Sequence, residues 1–90
     1  MTNKSYKAAG HVAWRRVDDE VVVLDLDSSA YYSLNDTGSR MWELLAAGHP
    51  LDKVVSLVAD EYGHAAADVS RDANALLKDL LREKLLVPAP

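Results

Sequence analysis

The chain has 90 residues, 49% of them hydrophobic and 27% charged, and a formal net charge of −4. This length supports one domain with a thin core, and the composition is that of a folded chain rather than a disordered one. The lack of cysteine excludes disulfides and thiolate chemistry, and the acidic balance argues against phosphate binding.

No apolar run approaches the ~20 residues of a membrane span, and the first ten residues lack the apolar core of a signal peptide, so a cytoplasmic location is expected. Residues 1–10 are polar and small and are expected to fray, as are residues 88–90. Lys4, Lys7, Arg15 and Arg16 make the amino end locally basic. His11 to Val17 alternates so that Val12 and Trp14 share one face, the period of a strand. Asp18-Asp19-Glu20 reads as a turn, Val21 to Leu26 as the second strand, Asp27-Ser28-Ser29 as another turn, and Ala30 to Leu34 as the third strand. Turns this short imply an antiparallel meander, which is stable only with one face covered.

The cover comes from three helices. Asp36 and Thr37 are candidate N-caps for a helix from about Ser39 to Ala47, with Met41, Leu44 and Leu45 on one stripe and Trp42 beside it. Gly48 ends it. Pro50 suits the first position of a second helix, along which Leu51, Val54, Val55, Val58 and Tyr62 follow at helical spacing until Gly63. Asp68 is read as the cap of a third helix, reaching about Lys84. Its apolar row Val69, Ala73, Leu76 and Leu80 is widened by Leu77 and Leu81 to a stripe of roughly 140°. Packing explains most of that width, and one edge is free to line a groove. The predicted fold class is α+β: a three-stranded antiparallel sheet followed by three helices in one domain, a variant of the winged helix-turn-helix layout.

Chemistry-bearing patterns are scarce. His11, His49 and His64 are single and lack metal-ligand spacing, so they are read as surface residues and no metal is expected. There is no nucleophile elbow and no glycine-rich phosphate loop, so neither catalysis nor a cofactor is expected. Asp25-Leu26-Asp27-Ser28-Ser29 with Asp36 echoes a calcium loop, but Ala30 stands where that loop needs glycine, and strands replace its flanking helices. On the third helix Arg71, Lys78, Arg82 and Lys84 are cancelled by Asp68, Asp72, Asp79 and Glu83, and Asn74 is its one side-chain amide. That pattern suits a solvated face and argues against the winged-helix DNA binding that the topology suggests. What remains is the third strand, an edge with no lysine or proline to block pairing. Beside a wide apolar helix, such an edge is suited to accept a peptide as a further strand.

The segments VVVLDLDSSAYYSLNDTGSRMWELL, LDKVVSLVADEYG and VSRDANALLKDLLREKLL resemble the PqqD-like family, also called RiPP recognition elements, over nearly the whole chain from Val21 onward. The most telling pieces are YYSLNDTG followed by Trp42, the Tyr62-Gly63 helix stop, and Asp72 with Leu76, Leu77 and Leu80. Pro50 departs from the Ser or Thr cap more usual there, without functional consequence.

The resemblance implies a non-catalytic protein that binds the leader segment of a ribosomally made precursor peptide and presents it to a modifying enzyme. Carried onto this chain, the leader pairs with Ala30, Tyr31, Tyr32, Ser33 and Leu34 and lies against Val69, Asp72, Ala73 and Leu76. The Val69/Asp72/Leu76 edge is chosen over Leu77/Leu81 because it joins an apolar wall to a charge that can orient the peptide. The YY-x-LN-x-TG form is most similar to the stand-alone recognition subunits of lasso-peptide systems, which implies a Tyr-x-x-Pro leader and a separate leader peptidase as partners. Synthesis of pyrroloquinoline quinone, beside a radical SAM enzyme, is the alternative pathway. A monomer is expected, with the bare third strand able to pair with another copy when no leader is present.

Overall fold

In the computed structural model, which describes residues 4–90, the elements are β1 (Tyr6–Ala8), β2 (Val12–Val17), β3 (Glu20–Asp25), β4 (Tyr31–Leu34), α1 (Asp36–Ala46), α2 (Leu51–Tyr62), α3 (Ala66–Arg82) and β5 (Leu86–Pro88). The valine run forms the middle of the main sheet, whose antiparallel order is β2-β3-β4. The α+β reading, a three-stranded sheet followed by three helices, therefore holds. The winged helix-turn-helix likeness is only a loose one.

Register decides which side chains meet the helices. Trp14 stands opposite Val23, and Val23 opposite Tyr32; Arg16 stands opposite Val21, and Val21 opposite Leu34. These rows face inward, and Val21 and Val23 are fully buried. The alternate row of Ala13, Leu24 and Tyr31 faces outward and is exposed. α1 covers the inner face with Met41, Trp42, Leu44 and Leu45, all buried. Trp42 meets Trp14 edge-on, with ring centroids 5.9 Å apart and an interplanar angle of 78°, a favoured aromatic geometry. Val54 and Val58 of α2 and Val69, Ala73, Leu77 and Leu80 of α3 join the same core.

The chain ends depart from the expectation. Met1 to Asn3 lie outside the described residues, but residues 6–8 pair instead of fraying. Tyr6 lies opposite Pro88 and Ala8 opposite Leu86, so a second, two-stranded sheet ties the two ends together. Tyr6, Ala9, Leu85 and Leu86 are buried, and the Ala89 N–H donates to Ser5 O at 2.9 Å. Burial of these four apolar residues outweighs the entropy of ordering the ends, which local composition does not reveal.

The caps also differ. Asn35, not Asp36 or Thr37, caps α1: its Oδ1 accepts from the Gly38 N–H at 2.8 Å. Pro50 occupies the N-cap position of α2 rather than its first helical position. The cap of α3 is Ala65, without a side-chain bond, and Asp68 sits in the first turn. There its charge still favours the positive end of the helix dipole. α3 stops at Arg82 because Lys84 turns left-handed, with φ 61°.

Candidate functional site

Among the described strands, β2 and β4 are the two open edges of the main sheet, and the β4 edge is the one that lies beside a groove. β3 pairs with one side of β4, and no described strand pairs with the other. Both ends of β4 are fixed. At its start, Asp25 N–H donates to Ala30 O at 2.8 Å, closing a turn in which Ser29 takes φ 65°. At its end, the buried Ser39 hydroxyl donates to Leu34 O at 3.0 Å and accepts from Val21 N–H at 2.6 Å. The edge is therefore rigid and its unpaired backbone groups face outward, the condition for strand addition.

Beside that edge runs a groove. Ser33 and Leu34 of β4, Asn35, Thr37, Gly38 and Met41 at the start of α1, and Asp72 and Leu76 of α3 line a cavity of about 310 Å³. Thr37, Met41 and Asp72 also line a smaller cavity of about 160 Å³, closed by Val58, His64, Asp68 and Val69. Shared walls make the two one continuous groove. It leads from the β4 edge along the amino-terminal half of α3. Gly38 also protects the cap beside the groove, because a Cβ there would come within 2.9 Å of Asn35 Oδ1.

Two tyrosines brace the walls. Tyr62 O–H donates to Asp36 Oδ1 at 2.7 Å, joining the end of α2 to the start of α1. That bond, with burial, raises the pKa of the Tyr62 hydroxyl. Tyr32 O–H donates to the Glu83 carboxylate at 3.4 Å, spanning from β4 to the end of α3. Burial first, and then the Glu83 charge, raises the Tyr32 pKa. Behind these walls Arg16 makes two 2.9 Å bonds to Glu43, while Arg40 bonds Glu61 at 2.8 and 3.1 Å and reaches Glu43 at 3.5 Å. The network joins β2, α1 and α2.

The nine residues expected at the site do not all occupy one surface. Ser33, Leu34, Asp72 and Leu76 meet in the larger cavity, and Val69 and Asp72 in the smaller. Leu77 and Leu81 line neither. Tyr31 points to the outer face of the sheet with 70% of its surface exposed, and Tyr32 packs against the core. Ala30 spends its carbonyl on the turn. Ala73 is fully buried and reaches no groove surface. It lies under the groove as part of the core. Conversely, the sequence reading did not select Asn35, Thr37, Gly38, Met41, Val58 or His64 as lining residues. Asn35, Thr37 and Gly38 carry a signal in the turn between the third strand and the first helix, but only as capping chemistry, whereas Met41 and Val58 read as core and His64 as a surface residue.

The two arginines of α3 are committed to neighbouring acids: Arg71 lies 3.3 Å from Asp68 and 3.9 Å from Asp72, and Arg82 lies 3.0 Å from Asp79 and 3.5 Å from Glu83. This helix does not offer the cationic surface that a phosphate backbone needs. What the site offers is an unpaired strand edge, apolar walls from Leu34, Met41, Val58, Val69 and Leu76, and the Asp72 carboxylate between the two cavities.

Comparisons with known proteins point the same way. Residues 20–86 match the family model described as PqqD, coenzyme PQQ synthesis protein D. A solved structure described as TbiB1 in complex with the TbiA(beta) leader peptide is 35% identical. It superposes with a TM-score of 0.81 over 89% of this chain and 93% of that one. A second, described as lasso peptide synthetase B1 complexed with the leader peptide, is 27% identical with a TM-score of 0.83, over 93% of this chain and 99% of that one. No curated protein matches the chain.

Proposed function

The chain belongs to the PqqD family, and from that premise we propose that it binds the leader segment of a ribosomally synthesised precursor peptide in lasso-peptide maturation. The leader adds a strand to the free edge of β4, and alternate side chains enter the groove against α3. Leu34, Met41, Val69 and Leu76 supply apolar contact, Asp72 orients the peptide, and Ala73 supports the groove from below. Binding is non-catalytic. The loaded protein delivers its cargo, in the cytoplasm and as a monomer, to a separate leader peptidase.

The observation that carries this reading is the continuity of the unpaired β4 edge with the groove. It is supported by the leader peptides bound in both similar structures. The family description favours a second reading, in which the peptide belongs to quinone-cofactor synthesis.

Fluorescence anisotropy of a labelled leader, taken from a precursor encoded beside this protein's gene, tests the proposal. Saturable binding in the micromolar range or tighter is expected. It should be lost when the leader's Tyr or Pro becomes Ala and should change little with salt. No binding at high protein concentration rejects the lasso assignment and makes the quinone-cofactor precursor the next probe. Affinity for DNA falling steeply with salt identifies a nucleic-acid binder instead.

A further inference from the structure

At the end of the sheet where β4 begins, folding brings His11 beside two potential ligands, Asp25 and Asp27, that lie far from it in sequence. His11, Asp25 and Asp27 each offer one ligand atom, and all three atoms lie within 4.8 Å of one another. His11 Nε2 stands 3.9 Å from Asp25 Oδ2. We propose that these residues form a site for one divalent transition-metal ion of the zinc class, with water completing its coordination.

The donor set selects the class of ion. Imidazole nitrogen with two carboxylates suits Zn²⁺ and its first-row neighbours. Calcium takes six to eight oxygen ligands and has no use for the imidazole. Zinc–ligand bonds of about 2.0–2.2 Å place tetrahedral ligands roughly 3.3–3.6 Å apart, so closing the site takes a side-chain adjustment of about half an ångström between His11 and Asp25.

The backbone holds the three in place. Leu26 N–H donates to His11 O at 2.8 Å, and Val12 stands opposite Asp25, which keeps the start of β2 against the end of β3. Asp25 Oδ1 accepts from the Asp27 and Ser28 amides at 2.9 and 3.2 Å, leaving Oδ2 turned toward His11. Hydrogen bonds of this kind orient a metal ligand before the ion arrives. An ion here ties the start of β2 to the end of β3 and to the turn that leads into β4. This site is separate from the groove and does not depend on leader binding.

The test is calorimetric titration of chelator-stripped protein with Zn²⁺ alone. One ion per chain with micromolar affinity is expected, together with a rise in the thermal midpoint. His11→Ala and Asp27→Asn should each weaken binding at least tenfold, while His64→Ala leaves it unchanged. In an NMR titration the ring protons of His11, and not those of His49 or His64, should move. Absence of saturable binding below millimolar Zn²⁺ overturns the site. Unchanged affinity in either the His11 or the Asp27 variant also overturns it, because the ion then sits elsewhere.

Discussion

Ser39 Oγ accepts from Val21 N–H at 2.6 Å and donates to Leu34 O at 3.0 Å, so one buried hydroxyl ties α1 to the middle strand and to the end of β4. Ser39 and Val21 are both fully buried, so the Val21 N–H depends on this hydroxyl, while Leu34 O lies at the partly buried end of the bridge. Ser39→Ala should cost about 1–3 kcal/mol, the scale of a stranded buried polar group. Urea denaturation should show a lower midpoint with an unchanged slope. Leader affinity should fall as well, since the anchored end of β4 is a wall of the groove. A midpoint equal to that of the parent protein contradicts the bridge.

The two edges of α3 can be told apart. Leu76 lines the larger cavity, whereas Leu81 packs against the core away from both cavities. Leu76→Ala should weaken leader binding about tenfold, equivalent to about 1.4 kcal/mol. Leu81→Ala should leave affinity nearly unchanged while lowering stability. Equal losses of affinity in two folded variants sink the assignment of this edge.

The paired chain ends carry a separate prediction. Tyr6 is 8% exposed and belongs to the core. Truncating it should resemble other large aromatic deletions, at about 3–5 kcal/mol. That is a large share of what a domain this small holds in reserve. Thermal unfolding of Tyr6→Ala should show a much lower midpoint, while the fraction that stays folded keeps its leader affinity. An unchanged midpoint means that the β1–β5 pairing contributes nothing.

Acid sensitivity should begin at the Arg16–Glu43–Arg40–Glu61 network. The bond from Arg16 holds the Glu43 carboxyl below its ordinary pKa, and the bond from Arg40 does the same for Glu61. Both groups therefore bind protons more weakly in the folded state than in the unfolded one. Their contribution is complete above the ordinary carboxylate pKa of about 4.3 and is lost as pH falls through the lower folded values. Denaturation midpoints measured from pH 7 downward should hold until that point and then decline. In Glu43→Gln the decline should be shallower.

The sequence by itself determined the three strands of the main sheet, the three helices and their order. The period of two in His11–Val17, the β-propensity of the valine run from Val21 to Leu26, and helical spacing in the three helices act over a few residues and survive without knowledge of partners. The motifs around YYSLNDTG carried the likeness to leader-binding proteins for the same reason, since they are contiguous. The tertiary structure alone decided what depends on distant groups. β1 and β5 are three residues each, too short to show a period, and they exist because they pair across the length of the chain. Asn35 became the cap because its Oδ1 reaches Gly38 N–H, while Asp36 and Thr37 had equal claims by composition. Ala73 and Leu76 share an apolar row, and only the position of α3 against the sheet and α1 buries the first and leaves the second in the groove. His11 reads as a solitary histidine until the β2–β3 register sets it beside Asp25. Local pattern determines which face of an element is apolar; long-range packing determines what that face meets.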